Sequence, residues 1–243
     1  MRWLAVVLVG CASSTRSLPD RVASGTLRAP MELVGETSSA ESELKLPMQR
    51  GRVWVAPGGS PIVFELVSDG RPIGVVAELD PGGNVTAMRV YADTTHAHLQ
   101  SATPFEGHAT STGHGTPAEL ALVAKANESW AGMNAHSAAQ TLASAAPTYT
   151  LVDFSAPVVL DRSATENMVG GFLNVVGDFH VTSRVQFAAG NDVVSENVEH
   201  MTLKGKPLEL HALDIKRIEN GLVVKEWQYA NGAEIRRALA AEY

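Results

Sequence analysis

Two aspartates stand inside apolar segments of the sequence and are the first candidates for chemistry. Asp153 lies near the end of segment 149–154, and Asp214 follows Leu210, Ala212 and Leu213. A carboxyl group that faces an apolar pocket has its charged form disfavoured, so its pKa rises and it can work as an acid or a hydrogen-bond donor. Structural roles stay open as well. Asp153 could accept hydrogen bonds from the next turn, and Asp214 could bond to a donor on the nearest helix.

The remaining reactive residue types form no recognisable catalytic or metal pattern. The sequence has no phosphate-binding glycine loop, no serine nucleophile elbow and no cysteine nucleophile. His96 and His98 have a spacing that can chelate on a strand, but no third ligand is near, so no metal is expected. His211 is interpreted as a sheet histidine, with pocket lining as the alternative. No cofactor is predicted.

Composition excludes one class of partner. The 243 residues carry a net charge of −7 and their basic residues are scattered rather than clustered. Phosphate backbones are bound by clustered Lys and Arg, so nucleic acid is not an expected partner.

The first eleven residues differ from the rest of the chain. Arg2 precedes an unbroken apolar run at 3–9, and Leu8-Val9-Gly10-Cys11 resembles a bacterial lipobox. The run is far below the roughly 20 apolar residues that a spanning helix needs. We expect residues 1–11 to be a lipoprotein signal, Cys11 to be lipidated, and the protein to sit on the periplasmic side of the cell envelope. The alternative is a wrongly assigned start on a cytoplasmic protein.

Patterning divides the rest of the chain into four parts. Residues 12–47 are a tether with at most a short element, and residues 48–99 alternate in short runs like a β-meander. Residues 100–115 are rich in Ser, Thr, Gly and His and are predicted to be a linker. Residues 116–243 begin with capping boxes at Thr116, Ser137 and Ser163 that start helices. Four further strands, near 179–188, 193–203, 208–218 and 222–229, and a terminal helix at 234–241 follow.

The two meanders resemble each other. Segment 52–58 (RVWVAPG) aligns with segment 184–190 (RVQFAAG), and Tyr91-Ala92-Asp93 aligns with Tyr229-Ala230-Asn231. The first meander has too few residues before it to hold the helices of the second, so it is predicted to be a partial copy. Its alternating apolar face would be an association site if it were exposed. We therefore expect it to pack on the sheet of the second meander.

Residues 116–243 resemble the nuclear-transport-factor-2-like, SnoaL-like family. The likeness is carried by segment 213–227 (LDIKRIENGLVVKEW) and by segment 130–137 (WAGMNAHS). The resemblance implies an α+β fold in which three helices pack on a curved, mostly antiparallel sheet to make a cone, preceded here by the partial β-rich copy. The sheet face usually makes homodimers in this family. The chain is thus expected to be a monomer through internal sheet pairing, or a homodimer.

The resemblance also implies roles for individual residues. Asp153 and Asp214 occupy the places of the two carboxylates of ketosteroid isomerases, which would make them an acid–base pair. Ser129 stands where those isomerases have a tyrosine, and Gln228 stands where SnoaL-type cyclases have an acid. Both departures predict weak or no isomerase activity. The side chains predicted to line a ligand pocket are Ser129, Trp130, Phe172, Phe187, His211 and Trp227. For the four aromatic side chains among them, a place in the hydrophobic core is the alternative.

Three functions follow as hypotheses, since one fold hosts many functions. The first is an exported, lipid-anchored protein that binds a small apolar molecule in the cone. The second is a cofactor-independent cyclase or isomerase that uses Asp153 and Asp214 on a small ketone-like substrate. The third is an interaction module whose cone is filled by side chains.

The leader generates the first testable prediction. Lipidation joins the fatty acid to the thiol of residue 11, so Cys11→Ser should abolish labelling by a palmitate analogue and release the protein from the membrane fraction. Cys11 is the single cysteine of the chain, so any label on the wild-type protein by thioether chemistry reports this site. A wild-type protein that stays cytosolic and unlabelled would contradict the expectation.

Overall fold

The computed structural model describes residues 17–25, 27, 31–34, 47–92, 106–155 and 158–230. Within these ranges lie four helices: α1 (Leu18–Ala23), α2 (Pro117–Asn134), α3 (Ala138–Thr141) and α4 (Arg162–Val175). The predicted leader, His96, His98 and the terminal helix at 234–241 fall outside the described residues. None of the described helices has the length and apolar character needed to cross a membrane.

The strands form two six-stranded sheets. The N-terminal sheet has the order β1-β5-β4-β3-β2-β6, and the C-terminal sheet has the order β8-β7-β12-β11-β10-β9. The strand bounds are β1 (Met31–Leu33), β2 (Gln49–Val55), β3 (Ile62–Ser68), β4 (Arg71–Leu79), β5 (Val85–Tyr91), β6 (Thr110–Thr112), β7 (Ala145–Asp153), β8 (Val158–Asp161), β9 (His180–Ala189), β10 (Asp192–Leu203), β11 (Lys206–Glu219) and β12 (Leu222–Ala230).

Five strands of each sheet share one topology, and the sixth strand, β6 or β8, lies at opposite ends of the shared order. Strands β2 to β5 form an antiparallel meander whose last strand pairs in parallel with β1, and strands β9 to β12 form one whose last strand pairs in parallel with β7. The turns agree too, because Asp69-Gly70 and Lys204-Gly205 both have the positive φ angles of two-residue hairpins. The internal repeat is therefore visible in strand order as well as in sequence.

Local sequence explains the helices of the C-terminal half. Thr116 caps α2 with a complete capping box that includes Glu119, and Pro117 occupies the first helical position. Ser137 caps α3 by accepting from the amide of Gln140. For α4 the cap is Asp161, which accepts from the amide of Ala164, so the predicted box at Ser163 lies inside the helix. Asp161 ends strand β8, and the strand therefore places the cap two residues earlier.

Two connecting segments contribute edge strands. Residues 110–112, assigned to a linker, instead form β6 and pair in parallel with β2 through Val53↔Thr110. Residues 31–33 lie in the segment predicted to be a tether with at most a short element, and they form β1, which pairs with β5. Both are three-residue edge strands, too short to show the alternation from which strands are predicted.

Each sheet has one face turned toward the other sheet. The side chains in this inter-sheet core are buried and come from both sheets: Trp54, Val63, Val76, Tyr91, Val152, Phe154, Phe187, Val194, Leu213, Ile215, Trp227 and Tyr229. The predicted packing of the first meander on the second is thus present. The opposite face of the C-terminal sheet, here called the helix-side face, packs under α2, α3 and α4.

Two buried carboxylates form hydrogen bonds between the two sheets. Glu65 accepts from Arg52 of its own sheet and from the Tyr229 hydroxyl of the other sheet at 2.5 Å. Glu196 of the C-terminal sheet accepts from Tyr91 and from Arg89 Nη2 at 2.8 Å, both in the N-terminal sheet. The two tyrosines, and likewise the two glutamates, hold equivalent positions in the repeat. In the N-terminal sheet, Tyr91 pairs with Gly74, and Gly74 pairs with Glu65. In the C-terminal sheet, Tyr229 pairs with Leu213, and Leu213 pairs with Glu196.

Close approach at the centre of this core requires glycine at position 74. A Cβ atom there would lie 2.6 Å from Leu213 Cδ2 and 3.0 Å from Tyr229 Cγ. Gly74→Ala should therefore lower the free energy of unfolding by about 1–3 kcal/mol, measured by urea unfolding.

The matched control is Gly171→Ala on α4. A Cβ atom at Gly171 meets nothing within 4 Å, and alanine favours the helix by up to about 1 kcal/mol. If Gly74→Ala were as stable as Gly171→Ala, the two sheets would not be in contact at this position.

Candidate functional site

A cavity of about 220 Å³ lies between the helix-side face of the C-terminal sheet and the three helices that cover it. Its wall is mainly apolar, with side chains from α2, α4 and the strands: Trp130, Met133, Leu142, Leu151, Met168, Val169, Phe172 and Leu210. Phe172 is held by an edge-on contact with Phe179 at 5.4 Å between ring centroids. A partly open space of this kind, with a mainly apolar surface and some polar side chains, is typical of small-molecule sites.

A polar cluster occupies part of the wall. The ammonium Nζ of Lys216 lies 3.6 Å from the centre of the Trp130 ring and 3.5 Å from Glu226 Oε1, and it donates to Ser129 Oγ. The Tyr149 hydroxyl donates to the other oxygen of Glu226 at 2.8 Å. Lys216 is only 2% exposed, so its charge depends on this carboxylate and ring for compensation.

Tyr149 is a neutral hydrogen-bond donor in this cluster. Burial raises its pKa well above the ordinary value of a phenol, and the charge of Glu226 raises it further. The phenol therefore keeps its proton throughout the neutral range, and Glu226 remains the acceptor. Lys216, Glu226 and Tyr149 thus form a fixed chain of donors and acceptor at the cavity.

Lys216, Glu226 and Tyr149 were not predicted as site residues, although strand alternation indicates part of this cluster. Lys216 is two residues after Asp214, and residues two apart on a strand share a face. Glu226 is opposite Lys216 in the β11–β12 register. Tyr149 carried no signal, because its partner is 77 residues away in the chain.

Asp214 is not one of the residues that line the cavity. Its side chain is completely buried, and Oδ2 accepts a 2.7 Å hydrogen bond from Asn197 Nδ2. Asn197 is oriented in turn by Ser183, which donates to its carbonyl oxygen at 2.7 Å. The hydrogen-bond partner is therefore on strand β10. The structural role expected from the sequence placed it on the nearest helix, which is α2. Burial raises the pKa of Asp214 well above the usual value, and the nearby charge of Glu226 adds to the effect.

Asp153 does line the cavity. Its Oδ1 accepts from the backbone amide of Ser155 at 2.8 Å and from the Ser155 hydroxyl at 2.6 Å, which is the turn contact that the sequence suggested. Gln228 pairs with both Asp153 and Asp214, so the two carboxyl groups sit on strands separated by one strand. The backbones of the two residues are therefore roughly 10 Å apart across the sheet. Of the two side chains, only that of Asp153 lines the cavity.

Four of the six predicted lining residues are at the cavity: Ser129, Trp130, Phe172 and His211. Burial lowers the pKa of His211, so its imidazole is neutral near pH 7. Phe187 and Trp227 instead lie in the inter-sheet core, where the guanidinium of Arg52 stacks 3.8 Å from the centre of the Trp227 ring. The correction follows from alternation. Glu226 and Gln228 line the cavity, so the residue between them must face the other way.

In the described part of the chain, no three His, Cys, Asp or Glu side chains are grouped so as to hold a metal ion. The polar side chains that line the cavity include one ammonium, one phenol, the hydroxyls of Ser129, Ser144 and Ser155, and the carboxylates of Asp153, Glu199 and Glu226.

The raised pKa of Asp214 generates a pH-dependent prediction. The folded protein holds this proton at pH values where the unfolded chain has released it, so stability falls as pH rises above about 4. Asp214→Asn removes that cost and can keep the Asn197 contact. Its free energy of unfolding should match that of the wild type near pH 4 and exceed it at pH 8, as measured by urea unfolding. A variant that is less stable than the wild type at pH 8 would show that the carboxylate is ionised and needed there.

Comparisons with known proteins were made for the whole chain. No family model matches it, and no curated protein matches it. Among solved structures, BvnE pinacolase from Penicillium brevicompactum is similar, with 10% identity, a TM-score of 0.47, and coverage of 50% of this chain and 92% of that one. PrhC from Penicillium brasilianum has 13% identity, a TM-score of 0.47, and coverage of 51% and 91%.

A third similar structure is an epoxide hydrolase of the LEH-like type from M. tuberculosis. It has 10% identity, a TM-score of 0.45, and coverage of 51% of this chain and 93% of its own. Each likeness covers about half of this chain. Residues 117–230 form three helices over a mixed six-stranded sheet, which is the α+β arrangement expected for this half of the chain.

Proposed function

We propose that this chain is a small-molecule-binding protein whose ligand occupies the cone cavity. The observation that carries the proposal is the cavity itself, which is open, apolar on most of its wall and polar at the Lys216–Glu226–Tyr149 cluster. An interaction module would need the cone to be filled by its own side chains. The space of about 220 Å³ argues against that hypothesis and suits a compact ligand.

Unused hydrogen-bonding capacity supports the proposal. Trp130 Nε1 is buried at the cavity and has no hydrogen-bond partner within the described residues. Buried donors in native proteins are nearly always bonded, and those that are not commonly mark a site for water, an ion or a ligand. A ligand with an oxygen acceptor near this indole would complete the bond.

The enzyme hypothesis has less support in its original form. Asp214 has the raised pKa of a proton donor, but it does not line the cavity and its Oδ2 is held by Asn197. Acid–base chemistry on a bound molecule would therefore rest on Asp153 and Glu226, which do line it. Glu226 is already bonded to Tyr149 and paired with Lys216, so binding is the function that the geometry favours.

Export and anchoring belong to the same proposal. The motif at Leu8–Cys11 supports a protein that is held to the cell envelope by a lipid on Cys11 and exposes the cavity on the periplasmic side. The face of the C-terminal sheet that would otherwise be free is covered by the N-terminal sheet. We therefore propose a monomer.

Filling the cavity tests the proposal. Met168 is 40% exposed and lines the cavity from α4, so Met168→Trp should place an indole in the ligand space at little cost in stability. Ligand affinity, measured by native mass spectrometry on gently extracted protein against a small-molecule library, should fall at least about tenfold.

Val175→Trp is the matched control for this variant. Val175 is on the same helix and 66% exposed, and it does not line the cavity. It should bind ligands as the wild type does. Equal binding by Met168→Trp and Val175→Trp would place the ligand elsewhere and contradict the proposal.

A further inference from the structure

Acidic side chains outnumber basic ones among the described residues that line the cavity. They are Asp153, Glu199 and Glu226, against Lys216. His211 adds no positive charge near pH 7, because burial lowers its pKa. Lys216 is already committed to Glu226 at 3.5 Å. This excess of acidic side chains therefore leaves Asp153 without Lys216 as a counter-ion.

Asp153 is the carboxylate that this excess leaves exposed to a ligand. It is 7% exposed, and no Arg, Lys or His forms an ion pair with it anywhere in the described ranges. Both of its hydrogen bonds, from the amide and the hydroxyl of Ser155, go to Oδ1. Oδ2 therefore receives no donor from the described residues. A buried carboxylate without a counter-ion is costly, and buried charges in proteins are normally paired.

A second group at the same cavity also lacks a partner. Ser144 is 3% exposed, and its Oγ makes no hydrogen bond to any described residue. A hydroxyl oxygen can accept from an N–H group as well as donate. The cavity thus offers two acceptors, a carboxylate oxygen and a hydroxyl, and its wall includes the aromatic side chains of Tyr149 and Phe172. Aromatic rings attract cations that lie over their faces.

We propose, on the basis of the proposed binding function, that the ligand is a small organic cation: a protonated amine on a compact apolar body, with Asp153 as its counter-ion. The apolar wall holds the carbon skeleton and excludes water. Exclusion of water strengthens the attraction between the ammonium and the Asp153 carboxylate. An anionic ligand of the same shape is disfavoured by the same charges.

Three probes that share one carbon ring test the charge preference. The full-length protein is titrated near pH 7 with cyclohexylamine, which is protonated there, with neutral cyclohexanol and with cyclohexanecarboxylate, by calorimetry or protein NMR. The amine should bind at least about tenfold more tightly than the alcohol, and the carboxylate should bind most weakly. Added salt should lower the affinity for the amine more than the affinity for the alcohol, because screening acts on the charged probe.

Variants assign the preference to a residue. Asp153→Asn removes the charge and should reduce amine affinity about tenfold while leaving cyclohexanol binding unchanged. Glu128→Gln is the matched control, because Glu128 is half exposed on α2 and does not line the cavity. It should bind all three probes as the wild type does.

The outcomes separate this inference from the proposed function. Cyclohexanol that binds in the cavity as tightly as the amine would overturn the cation inference and leave the binding function standing. If Asp153→Asn lowered the affinity for the amine and for cyclohexanol equally, Asp153 would have a structural role. That result would overturn its assignment as the counter-ion. Failure of all three probes to bind the wild-type protein would overturn both.

Discussion

The packing of two sheets face to face, over two buried carboxylates, is the constraint on which the rest of this structure depends. Glu65 and Glu196 are at most 1% exposed, and each accepts a hydrogen bond from a tyrosine of the opposite sheet. Removing one partner of such a network leaves an uncompensated buried charge, which costs several kcal/mol. The two sheets are therefore held in one relative position by charge as well as by apolar contact.

That position also determines what the other face of the C-terminal sheet can do. Alternation along β11 sends Leu213 and Ile215 into the inter-sheet core, so Asp214 and Lys216 must point toward the helices. A shift of one residue in register would exchange these sets and bury two charges between the sheets. The apolar core on one side thus fixes the polar cluster on the other, and with it the geometry of the cavity.

Within the cavity, charge compensation distinguishes residues that maintain the fold from residues that can meet a ligand. Lys216, Glu226 and Tyr149 satisfy one another, and Asp214 is held by Asn197 with its proton retained by burial. Asp153 has hydrogen bonds from Ser155 but no counter-ion among the residues described, and it lies at the cavity surface. Asp214 Oδ1 also lacks a hydrogen-bond partner within the described residues, but Asp214 does not line the cavity. Asp153 is therefore the residue that defines the proposed ligand.

The sequence by itself determined the repeat and most of the helices and strands of the C-terminal half, because capping boxes and two-residue alternation are local signals. The cone arrangement was expected from the resemblance of residues 116–243 to a known family. Both aspartates stand in apolar segments of the sequence, which made them candidates. Tertiary structure alone decided which side of the sheet Phe187 and Trp227 occupy and that Asp153 and Asp214 stand apart, with Gln228 between them. It alone brought Tyr149 to Glu226, 77 residues away. Pairings between distant strands depend on register, which no local pattern in a single sequence specifies.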